Sequence, residues 1–334
     1  MKEKPLISVV IPVHNGAATL PHCLEALVAS VYENVEIIVV DDASTDDTPA
    51  VAARYPCRLL RLPENVGAAR AKNFGAQEAK GEILFFTDAD VYVPPPALAY
   101  VAEDLADPEV DGVVGLLARD CPHENFASQF KNLWMHFTYL RQPRRVGLFF
   151  TSAAAIRREI FIREGGFDPH YQGASITEDI EFGQRLLSRG YRIVMDKRLT
   201  VVHDKHYTMG DLLRTDLLRA RGLMQTWLRN RLSKTKRAHY ASVPWYFGAG
   251  VLMMGLATLW ALAALALGQA QLLWEVGLFI LGALVLNSPF LLALGRWRGG
   301  VFFLQSALFL LVDLYVSGLG ILVGVWDFLR GKRY

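Results

Sequence analysis

Ile83-Leu84-Phe85-Phe86-Thr87-Asp88-Ala89-Asp90 is the stretch on which the rest of the chain turns. Four apolar residues in succession predict a buried strand, bounded by Gly81 on one side and Pro94-Pro95-Pro96 on the other. The run ends in two carboxylates on alternate residues. Where strand geometry persists, both face one side just past the carboxyl end, the edge at which open α/β sheets bind ligands. Hard divalent cations take such oxygen ligands, and Mg²⁺ is commonly held by one or two carboxylates together with substrate phosphates. A solvated acidic turn looks the same in isolation, so the flanking chain has to decide.

The 334 residues allow one sizeable globular domain and something more. A formal charge of +2 gives no global argument for nucleic acid as a partner. Cys23, Cys57 and Cys121 lack metal-ligand spacing and suggest no disulfide framework, which fits a reducing cytosol. Met1 to Pro5 lead into a strand without an apolar signal region, so the N-terminal part is expected to stay unsecreted. Hydropathy splits the chain near Tyr240: mixed before it, strongly apolar after it.

Ile7 to Val13 is a β-branched run that His14-Asn15-Gly16 turns toward a helix beginning near Thr19. Glu36 to Val40 is a second such strand, ending in Asp41-Asp42-Ala43-Ser44-Thr45-Asp46, with a helix expected around Thr48 to Arg54. A third strand, Arg58 to Leu62, precedes Asn65-Val66-Gly67-Ala68-Ala69-Arg70-Ala71-Lys72-Asn73, whose small residues permit close approach and whose Arg70 and Lys72 bring positive charge. Strands alternating with helices argue for a parallel sheet of βαβ units. On such a sheet Asp41 or Asp42 sits at a strand's carboxyl end, able to accept hydrogen bonds from a base or ribose; capping and solubilising the turn is the competing role.

Taken together, Ile11-Pro12-Val13-His14-Asn15, Val40-Asp41-Asp42-Ala43-Ser44-Thr45-Asp46, Asn65 through Asn73 and Asp88-Ala89-Asp90 resemble family 2 glycosyltransferases of the GT-A fold. The resemblance implies an α/β, Rossmann-like, mostly parallel catalytic domain followed by an α-helical membrane domain. It implies a nucleotide-sugar site (UDP-, GDP- or dTDP-sugar) at Pro12, Asn15, Asp41, Asp42, Arg70, Lys72 and Asp88, Asp41 meeting the base. It also implies a divalent metal, Mg²⁺ or Mn²⁺, on Asp88 and Asp90. Lys72 departs from the family pattern, which has Arg before Asn73; Lys keeps the charge without the planar fork.

Phe126, Phe130, Leu133, Trp134, Phe137 and Leu140 recur at helical spacing, with Arg141, Arg144 and Arg145 following. They read as a core-facing helix and basic loop, or as a surface for lipid headgroups. Phe149 to Ile156 reads as a strand, then Gly165-Gly166-Phe167-Asp168, then a helix opened by Ile176-Thr177-Glu178-Asp179. These also resemble the family, whose inverting members use the Asp of an E-D pair as base: here Asp179, with Glu178 in support. The competing role for both is favourable charge at a helix N-terminus. Phe150-Thr151-Ser152 stands where the family has G-G-N. Tyr191 to Met195 and Thr200 to Val202 read as the last strands, leading to His203-Asp204-Lys205-His206. By resemblance His203, rather than His206, is an additional metal or diphosphate contact.

Leu213, Leu217, Ala220, Met224, Trp227 and Leu228 share one helical face, with five arginines between Arg214 and Arg231 elsewhere. The pattern fits a helix in a membrane interface or one docked on a neighbour. Lys234, Lys236 and Arg237 continue the charge. Pro244 to Leu267, Leu272 to Leu294 and Val301 to Trp326 are each long enough to cross a bilayer. The basic approach to the first and Arg296 and Arg298 after the second place those flanks on the cytoplasmic side. The third either spans, leaving Arg330, Lys332 and Arg333 outside, or folds back near Asp313 and Gly318; its unbroken run favours spanning.

The chain is accordingly expected to divide into 1–208, a GT-A domain; 209–243, a basic amphipathic linker helix; and 244–334, three apolar helices. The expected activity is metal-dependent, inverting transfer of a sugar to a hydroxyl of a lipid or lipid-linked saccharide in cell-envelope polysaccharide or glycolipid biosynthesis. The expected location is the inner membrane, multi-pass, with the catalytic domain cytosolic and no nucleic-acid partner. A polyprenyl-phosphate glycosyltransferase, whose acceptor needs no base, and a non-catalytic scaffold on the same fold are the alternatives. The sugar, the acceptor and the oligomeric state are not legible.

Overall fold

The computed structural model describes residues 4–169, 178–232 and 243–332. Readings that fall on Ile176, Thr177, Lys234, Lys236, Arg237 and Arg333 lie outside them. In chain order the elements are β1 (Ile7–Val13), α1 (Leu20–Val28), β2 (Val35–Asp41), α2 (Thr48–Ala52), β3 (Arg58–Arg61), α3 (Ala68–Glu78), β4 (Ile83–Phe86), β5 (Val91–Tyr92) and α4 (Ala97–Leu105). They continue with β6 (Gly112–Leu117), α5 (Phe126–Leu140), β7 (Arg145–Val146), β8 (Ala154–Arg157), α6 (Arg158–Arg163), α7 (Glu178–Ser188) and β9 (Ile193–His203). Among the described residues the elements that follow are all helices: α8 (Met209–Leu232), α9 (Trp245–Leu267), α10 (Leu273–Leu286), α11 (Ser288–Arg298) and α12 (Gly300–Leu329).

The strands form one mixed, mostly parallel sheet in the order β3-β2-β1-β4-β8-β6-β9-β5, with β7 beside β9. β1 is buried along its whole length because parallel neighbours and helices cover it on every side. From β1 the chain builds outward through β2 and β3, then returns to lay β4 on the other flank of β1. That reversal opens a crevice at the carboxyl edge between β1 and β4, where such sheets bind their ligands. Small residues of α3 serve the sheet: a Cβ on Gly75 would come within 2.6 Å of Val10 and 2.8 Å of Val40.

Two strand expectations need correction. Phe149 to Ala153 is not strand; Thr151 and Ser152 form a turn whose hydroxyls enter the crevice, and only Ala154–Arg157 pairs with β4 and β6. The two last strands are one, β9, with a register irregularity opposite Val114 and Leu116. Gly115 sits at that irregularity because any side chain there would collide with Leu199.

The aromatic face of α5 is covered by the apolar helices. Phe290 of α11 stacks against Phe130, Trp134 and Phe137 with ring centroids 5.5, 4.9 and 5.1 Å apart, and Phe309 of α12 meets Phe126 and Phe130 at 5.4 and 4.7 Å. α8 docks on α12, where Gly324 lets the backbones close: a Cβ there would lie 2.6 Å from Arg221 O. Arg221 pairs with Asp327 at 2.6 Å across the same seam. The amphipathic pattern of α8 is therefore that of a docked helix.

Among the described residues α9 and α12 are long and apolar enough to cross a membrane, at 23 and 30 residues. α12 runs unbroken through Asp313 and Gly318. The second apolar segment, expected as one helix, is instead broken into α10 and α11, bent by 61°. Pro289 lacks the N–H that a continuous helix requires, and buried Asn287 turns its side chain back to Ala283 O at 2.9 Å. The bend lays α11 against α5.

Candidate active site

The β1–α1 and β2–α2 loops are tied to each other. Gly16 N donates to Thr48 Oγ1 at 2.9 Å, Ala17 N to an oxygen of Asp46 at 3.1 Å, and Asn15 N to Ser44 Oγ at 2.8 Å. Asn15 returns a bond, accepting from Thr45 N at 2.8 Å. To do so Asn15 and Ala43 take positive φ, 53° and 57°, a region most side chains avoid. The acidic, hydroxyl-rich loop thus acts as a clasp that shapes the crevice wall.

The paired aspartates are its fixed points. Asp41, fully buried, accepts from Ser44 N at 2.9 Å and Arg61 Nε at 3.2 Å. Asp42 accepts from Val66 N at 2.7 Å and Gly67 N at 2.9 Å, fastening the loop that starts α3. Neither lines the main cavity, and Arg70 reaches Pro169 O at 3.1 Å instead. Asp41, Asp42 and Arg70 thus make loop and turn contacts beside the crevice.

The other sequence-derived residues converge. Pro12, Asn15, Lys72, Asp88, Asp90, Glu178, Asp179 and His203 line a single cavity of about 930 Å³ at the carboxyl edge of the sheet. Asp88 and Asp90 follow β4, His203 closes β9, and the Glu178–Asp179 pair opens α7. Asn73 exchanges hydrogen bonds with Phe167, 2.8 and 2.9 Å, so α3 and the Gly165–Asp168 turn are held as one unit behind the cavity.

Lys72 Nζ lies 2.9 Å from Asp88 Oδ1 and donates to Thr151 Oγ1 at 2.7 Å; Ser152 Oγ donates to Asp88 Oδ2 at 2.7 Å. Burial pushes the Asp88 carboxyl up, but the ammonium and the hydroxyl outweigh it and hold the group at about 2. Asp90 lies 3.4 Å from His203 Nε2. Across the cavity burial raises Glu178 to about 8, assisted by the charge of Asp179, and raises Asp179 to about 6 against the pull of Arg219 and Lys72. Asp179 also accepts from Ile180 N at 2.7 Å, whereas Glu178 Oε2 is buried without a partner.

Asp88, Asp90 and His203 offer two carboxylates and an imidazole, a donor set suited to a hard divalent cation. Among the described residues no three His, Cys, Asp or Glu side chains already converge on one cation position. A cation on these side chains would draw the rest of its ligands from the oxygens of a bound diphosphate and water.

Sequence reasoning missed His123, Asp204 and Arg219, which also line the cavity. His123 Nε2 lies 2.8 Å from Asp204, whose other oxygen accepts from Tyr92 OH. Arg219 comes from α8, and its place in an arginine-rich stretch disguised it as surface charge. Its one distinguishing signal was proximity to the hydrophobic stripe, through which it reaches Met135 Sδ at 3.1 Å.

Residues 8–165 match the family described as Glycosyl transferase family 2. The glycosyltransferase GlyG of Streptococcus pneumoniae is 35% identical over 115 residues, 33% of this chain and 38% of GlyG. AglE of Haloferax volcanii, also a glycosyltransferase, is 26% identical over 242 residues, 69% of this chain and 76% of AglE. The mannosyltransferase PcManGT from Pyrobaculum calidifontis, solved with GDP-Man and Mn²⁺, is similar in fold: TM-score 0.61 at 22% identity, covering 98% of this chain and 88% of that one. The match to glycosyl transferase family 2 thus falls on residues 8–165, just under half of the chain and the part that carries the cavity's Asp88 and Asp90, and the chain spans little more than a third of GlyG's length.

Proposed function

We propose that the protein is a membrane-anchored, metal-dependent, inverting glycosyltransferase that moves a sugar from a nucleotide-sugar donor to a lipid-borne hydroxyl on the cytosolic face. The observation that carries this reading is that one cavity places Asp88, Asp90 and His203 together with Glu178 and Asp179, beside the apolar helices. The donor diphosphate would lie over Asp88 and Asp90, with Lys72 and Asn15 at its sides. A divalent cation held by Asp88, Asp90 and His203 would stabilise negative charge on the departing nucleotide. The solved neighbours PcManGT, with GDP-Man and Mn²⁺, and GalNAc-T7, with UDP, GalNAc and Mn²⁺, carry ligands of that kind.

Asp179 would take the proton of the acceptor hydroxyl as its oxygen attacks the sugar from the face opposite the leaving group. Its raised pKa improves it as a base, and Arg219 keeps enough of it ionised to act. The apolar lengths of α9 and α12 support anchoring, and the exposed side chains on them, Leu252, Leu265 and Leu308 among others, are ones that water disfavours. Arg298 donates to Gln129 and Asp120, each at 2.8 Å, so the basic flank after α11 lies on the catalytic domain, as a shared cytosolic side requires.

A polyprenyl-phosphate acceptor is the second reading, favoured by Lys131 and Arg219 in the cavity wall. The deciding experiment incubates the full chain with UDP-, GDP- and dTDP-sugars, with and without Mn²⁺ or Mg²⁺, and follows nucleotide release. Metal-dependent release from at least one donor is expected. Metal-independent release would remove the cation from the reading, and no release from any donor would remove the donor class.

A further inference from the structure

A second cavity of about 280 Å³ adjoins the catalytic one. Its walls come from α5, α8, α9 and α12 and include Trp134, Leu223, Met224, Phe247 and Val251. The two cavities share Met135 and Arg219, so they meet at those side chains. A sugar or a nucleotide gains nothing from walls of this kind, whereas a hydrocarbon chain does. Two of the walls are the helices long and apolar enough to cross a membrane.

The lining also carries polar side chains, Thr138, Asp216, Arg219, Ser317 and Asp313, of which Asp313 bears on a ligand. Asp313 is only 5% exposed, lines this cavity, and its Oδ1 has no hydrogen-bond partner. A buried carboxylate oxygen without a donor is costly unless a ligand supplies one. A hydroxyl on the polar end of a lipid is such a donor.

From this juxtaposition, and resting on the transfer reading above, we infer that the second cavity holds the hydrocarbon chain of the acceptor lipid. Its hydroxylated headgroup passes Met135 and Arg219 to reach Asp179. The occupant is a single-chain or splayed lipid whose head carries hydroxyls; the chain supplies affinity and Asp313 reads the polar junction. This explains why α8 belongs to both cavities: one turn brings Arg219 to the chemistry, and the turn after it brings Leu223 and Met224 to the lipid.

The test uses the full chain in phosphatidylcholine nanodiscs doped with an alkyl glucoside carrying a diazirine in its chain. A parallel arm uses an alkyl phosphate of the same chain. Light-induced labels are mapped by mass spectrometry in wild type, Gly248→Phe and Ser317→Leu, with Mn²⁺–nucleoside diphosphate binding as the check that each variant is folded. Gly248 lines the cavity, and a Cβ there meets nothing within 4 Å, so its variant can be accommodated. The expected result is glucoside label concentrated on Leu223, Met224, Val251 and Ile321, reduced about tenfold by either substitution, the cost of roughly two lost methylene contacts. Label confined to outward residues such as Leu252, Leu262 and Leu265, or undiminished by both variants, overturns the proposal. Cavity label from the phosphate alone overturns the hydroxylated headgroup. Labelling does not require turnover, so absence of any donor turnover refutes the enzymatic reading separately.

Discussion

Lys72 and Asp88 form the innermost ion pair of the cavity, Nζ to Oδ1 at 2.9 Å, with the ammonium almost wholly buried and the carboxylate partly open to the cavity. Family members with Arg at this position would offer a fork; Lys offers a single point charge, and Thr151 takes up a second of its protons. Lys72→Met leaves a carboxylate in the wall without its counter-charge. The expected loss is about 2–3 kcal/mol, somewhat below the usual cost for a fully buried pair because Ser152 and the open cavity remain. Thermal melting of the full chain measures it. Added Mn²⁺ should recover part of the loss, and a melting temperature indifferent to the substitution would show the pair to be dispensable.

Asp179→Asn keeps the shape of the side chain and abolishes proton acceptance. Transfer to a hydroxyl acceptor should fall at least about a hundredfold, with donor binding intact. Single-turnover transfer at saturating donor reads this directly. Near-normal transfer would favour an acceptor that arrives already ionised, such as a phosphate.

The pH dependence follows from the same group. Asp179 must be ionised to act, and burial lifts its pKa to about 6. Wild-type kcat/KM should therefore be flat at neutral pH and drop toward about tenfold per unit below that value. A profile that stays level down to about pH 4, the ordinary carboxylate range, would separate the rate-limiting step from Asp179.

Glu178 carries the opposite consequence for stability. Burial, helped by Asp179, lifts its pKa to about 8 in the folded chain from the ordinary 4.5. A raised folded-state value means the protein binds that proton more tightly than the unfolded chain does. The stabilisation is present in full below the ordinary value and is lost as pH rises through the folded one. Glu178→Gln, which stays neutral, should melt higher than wild type at alkaline pH, with the difference shrinking as pH falls and small below about pH 4.5. The same melting difference at both extremes would exclude titration of Glu178 as the cause.

Asp42 is expected to matter through the backbone. It accepts from two consecutive amides, Val66 and Gly67, and each bond to a charged acceptor is worth about 1.5–3 kcal/mol. Asp42→Ala should abolish hydrogen-exchange protection at those two amides and weaken donor affinity indirectly. Protection retained at both would show that another group holds the loop.

The catalytic half was legible because its signals are local. β1 and β4 begin where the hydrophobic runs place them, and Asp88, Asp90, Glu178, Asp179 and His203 share one cavity as their strand-end and helix-start positions imply. What the sequence hid depends on who packs against whom. The backbone amides that Asp41 and Asp42 hold, Ser44 N and Val66 N with Gly67 N, could not be named from sequence, because acceptors for a base and acceptors for a turn's amides are the same atoms. Arg219 looked like surface charge because nothing within α8 reveals that Tyr139 and Met135 of α5 and Asp179 of α7 lie beside it. The break at Asn287 was obscured by apolar residues on both sides, although Pro289 carried its cause in plain view.

The cover that α11 and α12 place over Phe126, Phe130 and Phe137 bears on how this chain can be handled. Cutting it after β9, where composition invites a boundary, would strip that aromatic face and remove α8 with Arg219. The excised piece should aggregate rather than fold into a soluble enzyme. Catalytic and apolar halves are separable on paper by composition, yet the ring contacts of α5 with α11 and α12 join them, so they are expected to be purified intact or not at all.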